Sequence, residues 1–265
     1  MTGGAVVPAS LPPSDLPGLD PAWSRLVATT DLDGCGRTWH VLDNRVDDAD
    51  LTVLCVHGNP TWSYLWRDMI AAAPDGVRVL AADHLDMGYS ERTGTVRDLD
   101  QRIADLGALT DTLEIEGPVV TVAHDWGGPI SLGWAARHRT QLAGIVLMNT
   151  AVYQPPDAPA PRLIRAVRRP AILNRITVDT TAFIRGALAL SRPRIPAPIR
   201  AAYLAPYRTA QRRVAIGTFV RDIPIESDHP SEPALAAIAR SLDGMSDVPA
   251  LLLWGPSDPV FSDLY

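Results

Sequence analysis

The residues of this chain best placed to do covalent chemistry are Ala123-His124-Asp125-Trp126-Gly127. An apolar, β-branched run, Val119-Val120-Thr121-Val122, leads into them, and an apolar helical pattern follows from Gly128 to Arg137. A strand, a tight turn and a helix are expected, with small residues at both flanks of the turn, where backbone and helix come close. The small-x-nucleophile-x-Gly spacing is that of a nucleophile elbow. Its exposed position carries a carboxylate, Asp125, where Ser or Cys would suit ordinary ester hydrolysis. A carboxylate suits displacement at an sp3 carbon, with a covalent ester to the enzyme as intermediate. Beside it, His57-Gly58-Asn59-Pro60 closes another apolar run. Gly58 lets the backbone turn toward the elbow, and an N–H of this loop with that of Trp126 makes an oxyanion hole. The Asn59 amide and the Trp126 indole N–H are neutral donors that can hold a leaving anion without neutralising the nucleophile.

Such a nucleophile works with a late histidine. The six histidines, His40, His57, His84, His124, His138 and His229, all precede the last recognisable strand. The expectation is of an incomplete domain whose final strand, histidine and closing helix are missing. His57 and His124 are expected to be structural, the latter because it points away from the nucleophile on the strand. Nothing in the sequence argues that His229 enters the site.

The elements that must position these residues follow from hydrophobic pattern. Strands are expected at Thr38–Leu42, Leu51–Val56, Val77–Ala82, Val119–Ala123, Leu142–Met148 and Ala250–Trp254. Helices are expected at Ser63–Ala73 with Ser63 as N-cap, at Asp98–Leu113 with Ile103, Leu106, Leu109 and Leu113 on one face, and at Gly128–Arg137. Alternating strands and helices imply an α/β fold with a mostly parallel sheet and helices on both faces. The span between Met148 and Ala250 is too long for one crossover. Its helical patches, at Arg162–Arg169, Thr181–Leu190 and Gln211–Phe219, indicate an inserted helical cap, with Ser191–Pro198 as a stiff connection. The expected organisation is a flexible N-terminal arm over 1–22, a core over 23–151, the cap over 152–230 and a second, incomplete part of the core over 231–265.

A chain of 265 residues, 46% hydrophobic and 20% charged, fits one soluble α/β domain with room for such an insertion. No apolar run is long enough to span a bilayer. The N-terminus lacks the basic start and apolar core of a signal peptide, so a cytoplasmic location is expected. Cys35 and Cys55 make neither a disulfide framework nor a metal spacing, and no metal or cofactor is called for. The net charge of −6 argues against nucleic acid as a partner. Lysine is absent, and thirteen of the 24 arginines fall between Arg162 and Arg221, against Asp157, Asp179 and Asp222 in and beside the cap. That run reads first as a solvated helix surface. Its alternative is a docking face for an acidic partner domain or acyl carrier.

At His57-Gly-Asn-Pro-Thr-Trp-Ser-Tyr-Leu-Trp-Arg67, Asp83 to Arg92, Ala123 to Gly133, Leu142 to Thr150 and Leu251 to Phe261, the chain resembles α/β-hydrolases of the haloalkane dehalogenase type. It is similar within them to the β-lactone decarboxylases of bacterial long-chain olefin biosynthesis, also at Ala202–Arg208 and at Pro259-Val-Phe-Ser-Asp263. The resemblance implies Asp125 as nucleophile, Asn59 and Trp126 as leaving-group ligands, and Asp258, in Trp254-Gly-Pro-Ser-Asp-Pro259, as the acid that orients the histidine. The other acid position of such folds, after Leu142–Met148, holds Asn149, which cannot ionise. Asp86 stands where the family loop usually has glycine, a departure in local geometry.

The implied activity is decarboxylation of a hydrophobic cis-β-lactone to an alkene and CO2, with a β-lactone synthetase domain or partner nearby. Alternatives are halide displacement from a haloalkane, and epoxide hydrolysis with Tyr203 and Tyr207 as acids over Asp125. A further alternative, of another class, is an inactive truncated domain. Phe183 with the two tyrosines is expected to line an apolar pocket or to pack in the core.

Overall fold

The computed structural model describes residues 5–152, 162–226 and 228–261. Tyr153, in the expected cap, Asp157 and the Ser262-Asp263 pair lie outside them.

Seven strands form one sheet: β1 (Ser24–Thr30), β2 (Gly36–Asp43), β3 (Leu51–Val56), β4 (Val77–Ala82), β5 (Val119–His124), β6 (Leu142–Met148) and β7 (Ala250–Leu253). Their order is β1-β2-β4-β3-β5-β6-β7. β1 pairs antiparallel with β2, and β2 antiparallel with β4. The other neighbours run parallel, with Val56 opposite Ala82 and Ala123 at the carboxyl ends of β3, β4 and β5. Loops leaving one edge of a parallel sheet therefore meet in one crevice, and the His57 loop, the elbow and the segment after β7 all leave from that edge. β3 to β6 are apolar because both faces are covered. Leu54, Val56, Val119 and Ala123 are buried.

The helices are α1 (Arg67–Ala71), α2 (Leu99–Thr112), α3 (Gly127–Arg137), α4 (Arg162–Val167), α5 (Pro170–Asn174), α6 (Ala182–Leu190), α7 (Ala197–Leu204), α8 (Ala210–Arg221) and α9 (Glu232–Ser241). α3 packs against both α2 and α9, and Ile103 of α2 lies where any side chain at Gly133 of α3 would go. α2 begins with a reciprocal cap: Asp98 accepts from the Gln101 N–H and Gln101 accepts from the Asp98 N–H. α4 to α8 lie between β6 and β7 in sequence, with one π-type turn at Arg175–Asp179 packed against α5 and α8.

Two local readings change. Ser63 does not cap a helix. Its N–H is taken by the Asp83 carboxylate at 2.7 Å, its hydroxyl is unpartnered, and the chain starts as a 3-10 turn, Ser63–Trp66, before α1. The strand β1 has no counterpart in the hydrophobic pattern. Within residues 5–22, Val7 and Arg92 exchange backbone hydrogen bonds, the Ser10 N–H donates to Tyr89 O, and Leu19 is buried.

Candidate active site

The turn after β5 is strained at Asp125, the residue expected to be the nucleophile. Asp125 has φ +55, in the left-handed region that non-glycine residues seldom occupy. Surrounding bonds over-determine it. Its N–H donates to Asn149 O at 3.1 Å, and its carbonyl accepts from Gly128 N–H at 2.9 Å and from the Thr150 hydroxyl at 2.6 Å. Close approach explains the glycines. A Cβ on Gly127 would lie 2.1 Å from Val56 O, and one on Gly128 would lie 2.0 Å from Thr150 Oγ1. A Cβ on Gly58 would lie 2.3 Å from Asp125 Oδ1.

The N–H groups expected to form an oxyanion hole point at the Asp125 carboxylate itself. The Asn59 N–H donates to Asp125 Oδ1 at 2.7 Å, and the Trp126 N–H also bonds the carboxylate. Burial pushes the Asp125 carboxyl above its ordinary value. Adjacent His124 and the two N–H groups oppose that rise, and Asp258 adds to it. Asp258 is therefore close enough to be felt. Its Oδ1 accepts from the N–H groups of Val260 and Phe261 at 2.8 and 3.0 Å, and its Oδ2 from Asn149 Nδ2 at 3.2 Å. Asn149 thus holds the Asp258 loop; its Oδ1 also accepts from Gly255 N–H at 2.9 Å.

Asp125, Asp258, Asn59 and Trp126 all line one cavity of about 1100 Å³, otherwise walled largely by apolar side chains such as Ile164, Phe183, Ile184, Leu188, Val220 and Leu235. The Asn59 amide is anchored from the cap. One N–H of Nδ2 donates to Ile216 O of α8 at 3.2 Å, and Oδ1 is buried without a partner. The second N–H of Nδ2 stays available to a ligand. Trp126 packs against Phe219, ring centres 5.8 Å apart, and Arg102 covers Phe219 at 3.6 Å.

The histidines divide sharply. The rings of His57 and His84 lie tilted against each other with centroids 4.3 Å apart, and the His84 N–H donates to His57 Nε2, which fixes the loop. His40 bonds Asp83 at 2.8 Å, and His229 bonds Arg221 O and the Ser231 N–H. His138 bonds Trp134 O. His124 departs from its expected role: it lines the cavity, with Nδ1 buried and unpartnered. The turn that inverts at Asp125 leaves the preceding side chain at the same rim, which strand alternation alone does not reveal. No described histidine hydrogen-bonds Asp258.

Tyr203 and Phe183 line the cavity, but Tyr207 does not. Its buried hydroxyl donates to Thr61 O at 2.9 Å and accepts from Gly88 N–H at 3.1 Å. The pair of tyrosine acids that epoxide opening requires is therefore not assembled. Asp86 replaces the expected glycine by adopting φ +70 itself, with its carboxylate taken by the N–H and hydroxyl of Thr93.

Comparison with known proteins agrees with this geometry. Residues 52–265 match the alpha/beta hydrolase fold family. A cis-3-alkyl-4-alkyloxetan-2-one decarboxylase of Xanthomonas campestris pv. campestris is 36% identical over 231 residues, covering 83% of this chain and 76% of that protein. Haloalkane dehalogenase 2 of Mycobacterium tuberculosis is 31% identical over 211 residues, covering 79% of this chain and 72% of that protein. The solved haloalkane dehalogenase DpaA of Paraglaciecola agarilytica superimposes with a TM-score of 0.79 at 23% identity, over 97% of this chain and 85% of that one.

Proposed function

Because this chain belongs to the alpha/beta hydrolase fold family, in its haloalkane dehalogenase-like branch, we propose that Asp125 attacks an sp3 carbon and that the substrate is a long-chain cis-β-lactone. The observation that carries the chemistry is the fixed carboxylate. With Oδ1 tied to the Asn59 N–H, the other oxygen is oriented for attack at little entropic cost. The apolar cavity fits an alkyl-substituted ring, and the more similar of the two compared relatives is named for an oxetan-2-one substrate.

The electron balance is simple. One Asp125 oxygen bonds the ring carbon that carries the ring oxygen, and that C–O bond breaks. The released carboxylate is met by the Asn59 amide and the Trp126 indole. Its C–C bond then breaks, and the electron pair forms the alkene. CO2 leaves, and the bond to Asp125 returns its electrons to the carboxylate. The sequence consumes no water and no external proton. Asp258, near enough to raise the Asp125 pKa, acts on this reading as the acid that orients a base. The cap over 152–230, the core on either side of it, a cytoplasmic setting and a synthetase partner belong to the same proposal.

Halide displacement is the second reading. It uses the same nucleophile and donors, and the dehalogenase relatives favour it. The experiment incubates the protein with a long-chain cis-β-lactone and, separately, a 1-bromoalkane, assaying headspace alkene, halide and intact mass, with Asp125→Asn as control. Alkene that disappears in the control is the expected result. Halide release or an Asp125 adduct without alkene transfers the assignment to dehalogenation. Neither signal from folded protein supports an inactive domain.

A further inference from the structure

The cavity opens through a rim with a distinct character. Leu163 of α4 and Leu190 of α6 both line it and yet are 44% and 52% exposed. Leu190 is followed by Ser191-Arg192-Pro193-Arg194, of which Arg192 also lines the cavity. On the same cap, Leu188 separates the cavity from a depression of about 140 Å³ lined by Arg185, Arg194 and Arg200. Among the described residues, the exposed arginines Arg165, Arg169, Arg175, Arg185, Arg192, Arg194 and Arg208 make no ion pair. Between Arg162 and Arg221 thirteen arginines face a single acidic residue, Asp179, in a chain of net charge −6. The cap is thus strongly cationic and the remainder strongly acidic. A solvated surface explains charge, but not exposed leucines set among guanidiniums that have no carboxylate partner at the mouth of an apolar cavity. Basic side chains around protruding leucines are the composition of surfaces that rest in a bilayer headgroup region.

We propose that this rim docks on an anionic lipid surface, the leucines entering the acyl boundary and the arginines meeting lipid phosphates, so that a long-chain apolar substrate passes from bilayer to cavity without crossing water. The choice of occupant rests on the long-chain substrate reading above; the charge pattern and the exposed leucines do not. An acidic protein would pair with the arginines but gives no reason for Leu163 and Leu190 to face outward.

The test is co-sedimentation of the protein with vesicles of phosphatidylcholine alone and of phosphatidylcholine with phosphatidylglycerol. It needs no catalysis, so it separates from failure of the lactone chemistry. Binding to the anionic vesicles only, weakening as salt is raised, is expected. Arg185→Gln with Arg194→Gln should reduce that binding roughly tenfold or more, since each arginine near such a surface contributes appreciably. Leu190→Asp should reduce it as well, with circular dichroism checking that both variants fold. No lipid-dependent sedimentation overturns the proposal. So does binding indifferent to both variants, or binding of an acidic carrier protein through the same arginines without any vesicle binding.

Discussion

On the proposed mechanism two demands meet at Asp125: the carboxylate must be ionised to attack, and it must sit in a cavity that disfavours charge. Burial raises its pKa above 3.8, while the N–H groups of Asn59 and Trp126 recover part of the loss. Only the ionised form attacks. Single-turnover alkylation by a bromoalkane should therefore fall as pH drops through a value above that of a free aspartate. Asp258→Asn removes a charge that raises the pKa, so it should move this acid limb to lower pH; a pH profile of both proteins checks the sign. Gly58 is the other sensitive residue. A methyl there overlaps Asp125 Oδ1, and a displacement of that order costs about 100-fold in rate. Gly58→Ala should show that loss in kinetics, with a smaller loss of stability in urea.

Among the elements, those flanking the site were legible because each announces itself locally. β5 is a short apolar run cut off by small residues, and α2 opens on Asp98-Leu-Asp-Gln101. Removing the reciprocal cap by Asp98→Ala should cost about 1 kcal/mol, measured by chemical denaturation. Other elements were illegible for physical reasons. β1 is Ser-Arg-Leu-Val-Ala-Thr-Thr, whose apolar positions do not alternate, and it is defined by pairing with β2. α7 and α9 are alanine- and proline-rich and take their faces from packing. Ser63 resembled a cap because only the tertiary fold brings Asp83 to its N–H. At the candidate site, the sequence named residues that the fold brings to one cavity, but not the directions of their side chains. Asn59 hangs from α8 at Ile216, Tyr207 turns into the core, and His124 turns to the cavity. Each depends on contacts between segments distant in sequence.

On the scale of the whole molecule the sheet is asymmetric. Among the described strands β1 pairs with β2 alone and β7 with β6 alone, but only β7 exposes a run of leucines, Leu251, Leu252 and Leu253 at 52%, 62% and 46%. The charge is asymmetric too, with the arginines gathered on the cap and the carboxylates elsewhere. A resin meets one face of a protein at a time. At neutral pH and low salt this acidic protein, with its sequence pI of about 5.5, should be retained by a sulfonate column through its cap as well as by a quaternary-amine column through its body. Chromatography would then report a dipole where the isoelectric point reports only a sum.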